Sequence, residues 1–361
     1  MRKAVTKRSR VVFILLASLL IVLTYWFVGN EVEPVTSSAI ATSSADQMRR
    51  KQRKHEDHKK EAIGKKSSAK VQSVEKVSIQ DVHPAADMKM EPSANTLWQL
   101  QAKRNATLHR ACGGIRMPLV KLTADEQLTL FKHMIVDDAH KIIYCYVPKA
   151  ACANWKKVIQ VMQGRYPSFK SINKTDHFAL DFMYKYSKQE IMYRLRHYFK
   201  FTFVRHPLSR LVSAFRNKLH ENIVEYHRKY GIPIIKRYRK NYDQDTKGDD
   251  VKFEEFVHYL IDLPTKRMNE HWRPYAELCQ PCHVTYNFIG LYESLEDDAN
   301  AVLEHVGAKL RWPQRQHFYK PTTTEEIVKL YKEVPPDLIQ KLVAKYKKDL
   351  DMFGYASSEY L

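Results

Sequence analysis

Two stretches of the chain place cations where a strand turns into a helix. The first is Tyr146-Val-Pro-Lys-Ala-Ala-Cys-Ala-Asn-Trp155. It follows the β-branched and aromatic run Lys141–Val147 and leads into a helical pattern over 151–163. Free amides at a helix start can wrap an anion. The candidate cradle is the amides of Lys149, Ala150, Ala151, Cys152, Ala153 and Asn154, with Lys149 adding a point charge. No Gly-x-x-x-x-Gly-Lys-[Ser/Thr] loop occurs, which argues against ATP or GTP hydrolysis of that type. The second stretch is Phe203-Val-Arg-His-Pro-Leu-Ser-Arg-Leu-Val-Ser-Ala-Phe-Arg216, with no acid from Arg194 through Lys218. Arg205 closes the strand, Pro207 suits the first turn of the next helix, and Ser209, Ser213 and Arg216 lie off its apolar face. Guanidinium and hydroxyl donors at a helix start can hold a phosphate in fixed geometry. Either stretch alone also fits an ordinary turn or a solvated basic face. Together in one sheet, they point to a nucleotide with two separated anionic groups.

The elements that must position these residues alternate. Strand signals fall at Lys141–Val147, Phe199–Val204 and Tyr286–Glu293, and helical patterns at 151–163 and Gln189–His197. Leu208, Leu211, Val212, Phe215 and Leu219 share one helical face, and Phe253, Phe256, Val257, Leu260 and Ile261 repeat that spacing. Ser294-Leu-Glu-Asp297 resembles a helix-start box. This order predicts an α/β fold, a mostly parallel sheet flanked by helices, with its ligands where strand ends meet helix starts.

The 361 residues carry 60 Lys and Arg against 40 Asp and Glu, a net +20 that calls for a polyanionic partner. Residues 11–28 are uncharged and apolar, just long enough to cross a hydrocarbon core of roughly 30 Å. Arg2, Lys3, Lys7, Arg8 and Arg10 precede them without an acid, which keeps residues 1–10 cytosolic and sends the rest across. A cleaved signal peptide would be shorter and end in small residues, whereas this run ends in Tyr25, Trp26 and Phe27. Residues 29–107 read as a flexible stem and 108–361 as the folded lumenal domain. That placement sets nucleic acid aside as a partner. Asn105 and Asn173 open glycosylation tripeptides.

The two junctions resemble the 5′-phosphosulfate and 3′-phosphate loops of sulfotransferases that use 3′-phosphoadenosine 5′-phosphosulfate. More narrowly, "YCYVPKAACANWK" and "FVRHPLSRLVSAFRNK" are similar to the carbohydrate sulfotransferases of the chondroitin 4-O / HNK-1 group. The similarity continues through "YGIPIIKRYRKN", "NEHWRPYAELCQPCHVTYNFIGLYESLEDDAN" and "DLDMFGY". It implies a P-loop-like sulfotransferase fold and in-line sulfuryl transfer to a sugar hydroxyl without metal. By position, Pro148 to Asn154 would cradle the 5′-phosphosulfate, with Lys149 stabilising charge on the bridging oxygen. Arg205 and Ser213 would grip the 3′-phosphate, within the loop of Arg205, His206, Pro207, Leu208, Ser209, Arg210, Leu211, Val212 and Ser213. His177 is the preferred base, His271 the competitor and Glu270 a third candidate. Ala153 stands where a hydroxyl residue is common. His206 replaces a usual acid, which should make the second loop more cationic.

The resemblance also implies a single-pass Golgi membrane enzyme with a lumenal catalytic domain and an acidic glycan or glycosaminoglycan acceptor, foremost the 4-hydroxyl of N-acetylgalactosamine in chondroitin. Dermatan, terminal N-acetylgalactosamine and an HNK-1-type glucuronic acid are the rival acceptors, and a non-enzymatic lumenal glycan-binding protein with a degenerate nucleotide site is the alternative of another class. The basic, aromatic-interleaved run His227–Lys240 fits a groove for such a glycan, or plain solvated surface. Cys279-Gln-Pro-Cys282 lacks the second pair a zinc ribbon needs, and disulfide bonding to each other or to Cys112 is the simpler role. Cys145 and Cys152 read as small packing residues.

Overall fold

The computed structural model describes residues 94–172, 180–313 and 322–361. The expected anchor at 11–28, most of the expected stem, Asn173 and His177 lie outside the described residues. No helix among the described residues is long and apolar enough to cross a membrane.

Helix α1 (Ala94–Ala111) is followed by α2 (Ala124–His133), which opens on a reciprocal Thr123–Glu126 capping box. The chain passes directly into β1 (Met134–Asp137), turns, and returns as β2 (Ile142–Cys145). Then come α3 (Cys152–Met162), the short β3 (Asp181–Phe182), α4 (Lys188–His197) and β4 (Phe199–Val204). Helix α5 (Pro207–Phe215) continues into a π-helical turn, Arg216–His220. The remaining elements are α6 (Ile232–Tyr238), α7 (Phe253–Asp262), α8 (Tyr275–Leu278), β5 (Phe288–Leu291), α9 (Leu295–His305), α10 (Thr324–Lys332) and α11 (Pro336–Phe353).

The sheet runs β3-β1-β2-β4-β5. Pairs β2/β4 and β4/β5 are parallel, while β1/β2 and β1/β3 are antiparallel. The sheet is therefore mixed, which corrects the expectation of a mostly parallel one. The cause is the tight turn at 138–141, too short for a crossover, so β1 and β2 can only form a hairpin. In the parallel half, β2 and β4 are neighbours in register Ile142↔Phe199 to Cys145↔Thr202. Their following loops therefore leave the same sheet edge side by side. That adjacency builds the site.

Strand β4 is buried on both faces. Phe201 and Phe203 join Tyr144, Trp155 and Trp312 in one aromatic layer, with Trp155 and Phe201 centroids 4.7 Å apart. Val204 faces the opposite layer with Ile143, Cys145 and Met134. Truncating the fully buried Trp155 to Ala should cost about 3–5 kcal/mol. A third cluster forms around Trp272, between α5, α7 and α11. On β5, a Cβ at Gly290 would sit 2.3 Å from the Phe203 ring, so only glycine lets β5 lie against β4 there.

Three expectations change. The folded unit starts before residue 108, because α1 packs on β5 and α9. Gln101 exchanges two hydrogen bonds with the Ile289 backbone, at 3.1 and 2.9 Å, and Arg104 pairs with the buried Asp298 at 2.8 Å. Cys145 is not a simple packing residue: it is bonded to Cys279, and Cys112 to Cys282, leaving Cys152 free. Ser294 does begin a helix, but its hydroxyl donates to Asp298 (2.8 Å) and makes no capping bond to the backbone.

Candidate active site

The first loop owes its shape to two non-glycine residues in the left-handed region, Lys149 (φ 72°) and Ala151 (φ 62°). Each costs roughly 1–2 kcal/mol, a strain retained where the geometry serves a site. The turn closes through the Ala150 amide on the Val147 carbonyl (3.3 Å), and Trp155 caps back onto Ala151 (3.1 Å). Helix α3 then begins with the amides of Cys152, Ala153 and Asn154, which have no intrahelical acceptor. Ala153 is exposed and its neighbours are half-buried. Amides and helix dipole there suit an anion. Burial, reinforced by Lys218, lowers the Lys149 amine to about 8.

In the second loop, Arg205 is buried and, among the described residues, forms no ion pair with a carboxylate. Its Nε donates to Ser209 Oγ (2.9 Å), Nη1 reaches the Lys149 carbonyl (3.5 Å), and its plane lies over Tyr292 (4.4 Å). A guanidinium that reaches from one loop to the other joins the two into a single site. Ser209 and Ser213, one turn apart, lie on the same side of α5.

Other residues of this loop do different work. His206 is fully buried as the cap of α5: its Nδ1 accepts from the Leu208 amide (3.2 Å) and its Nε2 donates to the Ala356 carbonyl (2.9 Å). One nitrogen accepts and the other donates, so the ring is neutral, and burial lowers its pKa. It does not make the loop more cationic, because the proton that would charge it has no acceptor. Pro207 supplies the first helical residue, and Leu208, Leu211 and Val212 are buried in the helical core. Arg210 is also fully buried, its donors directed to backbone carbonyls at Pro148, Glu270 and Arg273.

Opposite the loops lies Asn269-Glu-His-Trp-Arg273. It is anchored from behind by α8, whose first amides, Tyr275 and Ala276, bond the buried Asp349 carboxylate at 2.7 and 2.9 Å. His271 Nδ1 donates to Asn269 Oδ1 (2.7 Å), which also takes the His271 amide (3.0 Å). The Asn269 amide is oriented in turn by donating to the Tyr230 hydroxyl (3.0 Å). This tautomer leaves Nε2 as the ring's acceptor. Burial, then Lys218, Lys149 and Arg210 against Glu270, hold the His271 imidazole down at about 3, hence neutral. Burial alone would raise the Glu270 carboxyl, but His133 Nε2 (3.1 Å), together with His271 and Lys156, holds it at about 2. The Tyr146 hydroxyl donates to the same oxygen (3.3 Å).

The fold thus gathers Lys149, Arg205, Ser209, His271 and Glu270 into one region. Lys218 and Asn269 were missed from the sequence. Lys218 sat inside a basic run, and Asn269 differs from any polar residue only through its contact with His271. Two surface clefts, of about 840 Å³ beside Val158 and Leu310 and about 530 Å³ beside Lys121 and Lys345, include no residue of either loop. Among the described residues, no cluster of His, Cys, Asp or Glu could hold a metal ion.

Residues 132–356 match the profile of the sulfotransferase family. Over 263 residues the chain is 48% identical to carbohydrate sulfotransferase 14 of Danio rerio, covering 71% of each chain. It is 46% identical over 260 residues to carbohydrate sulfotransferase 14 of Homo sapiens, covering 71% of this chain and 69% of the human one. With carbohydrate sulfotransferase 11 of Mus musculus it shares 44% over 243 residues, 64% and 69% of the two chains. No solved structure matches.

Proposed function

This chain belongs to the sulfotransferase family, as a carbohydrate sulfotransferase, and from that premise we propose that it sulfates the 4-hydroxyl of N-acetylgalactosamine in chondroitin. The donor is 3′-phosphoadenosine 5′-phosphosulfate. The observation that carries the donor assignment is the pairing of two cationic strand–helix junctions on neighbouring parallel strands, bridged by Arg205 and the Lys149 carbonyl at 3.5 Å.

In this reading the Cys152–Asn154 amides and Lys149 hold the 5′-phosphosulfate, while Arg205, Ser209 and Ser213 hold the 3′-phosphate. Transfer forms a bond from the sugar oxygen to sulfur and breaks the bond from sulfur to the phosphate oxygen. Adenosine 3′,5′-bisphosphate leaves. Lys149 stabilises the charge that grows on the leaving oxygen, more in the transition state than before it. The hydroxyl proton passes to Nε2 of His271, the acceptor nitrogen of a ring whose Nδ1 donates to Asn269. His177, the base preferred from the sequence, is the alternative to be tested beside it. Holding both reactants in line supplies much of the rate.

Residues 11–28 would anchor the enzyme in the Golgi membrane with its catalytic part in the lumen, where acidic glycans are built. Labelled-sulfate transfer to a panel of desulfated glycans, with the product sugar analysed by position, tests the acceptor. No transfer by folded, nucleotide-binding protein to any glycan would overturn the reading. Digestion of residues 101–361 by protease added outside sealed Golgi vesicles would overturn the topology.

A further inference from the structure

We infer that Arg210 is a positioning residue that sets the donor loop against the proton-accepting segment, an inference that rests on the sulfuryl-transfer reading above. Its side chain is 0% exposed, and its donors end on backbone carbonyls of two separate segments. Nε donates to Pro148 (3.0 Å), Nη2 to Glu270 (2.8 Å) and Nη1 to Arg273 (2.9 Å). The guanidinium carbon lies 4.7 Å from the Tyr275 ring centroid.

The carbonyls that it grips are not arbitrary. A carbonyl and the following amide share one rigid plane and point in opposite directions. Fixing the Pro148 carbonyl therefore fixes the amide of Lys149, at the entry to the left-handed turn. Fixing the Glu270 carbonyl likewise directs the His271 amide, which lands on Asn269 Oδ1 (3.0 Å) beside the ring's own bond to that oxygen. One planar side chain thus orients the peptide planes leading into both Lys149 and His271. A lysine cannot substitute: its ammonium is a compact point donor, and only the flat fork spans both segments.

A second tie crosses the same gap. Cys145 ends β2, just ahead of Pro148, and is bonded to Cys279 beyond α8. The disulfide fixes the strand end and α8, but the peptide planes between them are left to Arg210.

The test is Arg210→Lys, assayed as labelled-sulfate transfer with active sites counted by adenosine 3′,5′-bisphosphate binding, so that only folded protein enters kcat. Misplacement of a reacting group by an ångström can cost about 100-fold. We expect kcat to fall roughly 10- to 100-fold, while nucleotide affinity changes less than about threefold. The double variant with His271→Ala provides the readout that a purely structural role would not move. Since Arg210 acts on the Lys149 side as well as on His271, its loss should cost clearly less, though not nothing, once His271 is gone, whereas independent effects multiply. Wild-type kcat in Arg210→Lys, or multiplicative effects in the double variant, overturns the inference. Should Arg210→Lys fail to fold, Arg210→Gln, which keeps a planar donor, is read in the same way. Failure of both to fold assigns the residue to the fold alone and also overturns the inference. A wild-type enzyme that transfers no sulfate would instead sink the underlying reading.

Discussion

Raising the pH should disarm this enzyme at one identifiable atom, Nζ of Lys149. Burial, with Lys218 nearby, lowers its pKa from 10.5 to about 8. The protonated amine is the active form, so activity is present below that pKa and is lost as pH rises through it. The profile of kcat/KM for the donor reports the free enzyme. With a pKa near 8, the cation is about 90% populated at pH 7 and about 10% at pH 9, a fall of roughly tenfold. The donor's 3′-phosphate, with a second pKa near 6, is almost fully ionised from pH 7 upward and contributes no limb there. Once bound, the donor should stabilise the ammonium, so the limb in kcat should lie at higher pH than in kcat/KM. Two variants isolate the residue. Lys149→Arg carries its charge across the whole range and should lose the limb. Lys149→Ala should also lose it, with turnover lower by roughly 100- to 1,000-fold at pH 7, the usual effect of removing one transition-state donor. Lys218→Ala is the control for its neighbour and should keep the limb. Initial rates from pH 6 to 10 at limiting donor decide the matter. A wild-type profile that stays flat to pH 10, or a Lys149→Arg profile with the original limb, would refute the assignment.

Arg205→Ala should weaken adenosine 3′,5′-bisphosphate binding by roughly 10- to 100-fold, the value of one charge-assisted phosphate contact, and leave adenosine 5′-monophosphate nearly unchanged. Calorimetric titration of both nucleotides checks this, and equal losses would remove Arg205 from the 3′-phosphate. His271→Ala should reduce turnover by about 100- to 10,000-fold with nucleotide affinity kept. Because burial holds its ring at about 3 and it acts in the neutral form, kcat at saturating donor should stay level between pH 5 and 7. An acid limb in that range that vanishes in His177→Ala would transfer the role to His177. Replacing Cys145 and Cys279 together by Ser should destabilise the fold by roughly 2–5 kcal/mol, since their bond closes a loop of 134 residues. Denaturant melts of variant and wild type measure this, and coincident curves would show that the bond contributes nothing.

What the sequence determined by itself was local. Strand β4 could be read because FKFTFV is too apolar and β-rich for anything but a buried strand, and it ends at an arginine followed by a proline-initiated helix. The loop Pro148–Asn154 could be read for the same reason, being a short unpatterned interval between a strand and a helix. Both signals lie within a few residues of chain, and strand propensity, helix period and proline geometry act at that range. Tertiary structure decided what depends on distant partners. Strand β1 runs straight on from α2 and shows itself only by pairing with β2 and β3. Polar helix α1 joins the fold through Gln101 and Arg104, whose partners stand nearly two hundred residues away. Cys145 had no local mark of its bond to Cys279. The charge of His206 was misjudged because a histidine's protonation depends on which atoms surround its two nitrogens, and one partner here is the carbonyl of Ala356. Arg210 looked like one more phosphate ligand in a basic loop. Burial removed it from the solvent and gave it backbone carbonyls to hold, since a guanidinium shut away from water must satisfy its donors with whatever the fold brings to them.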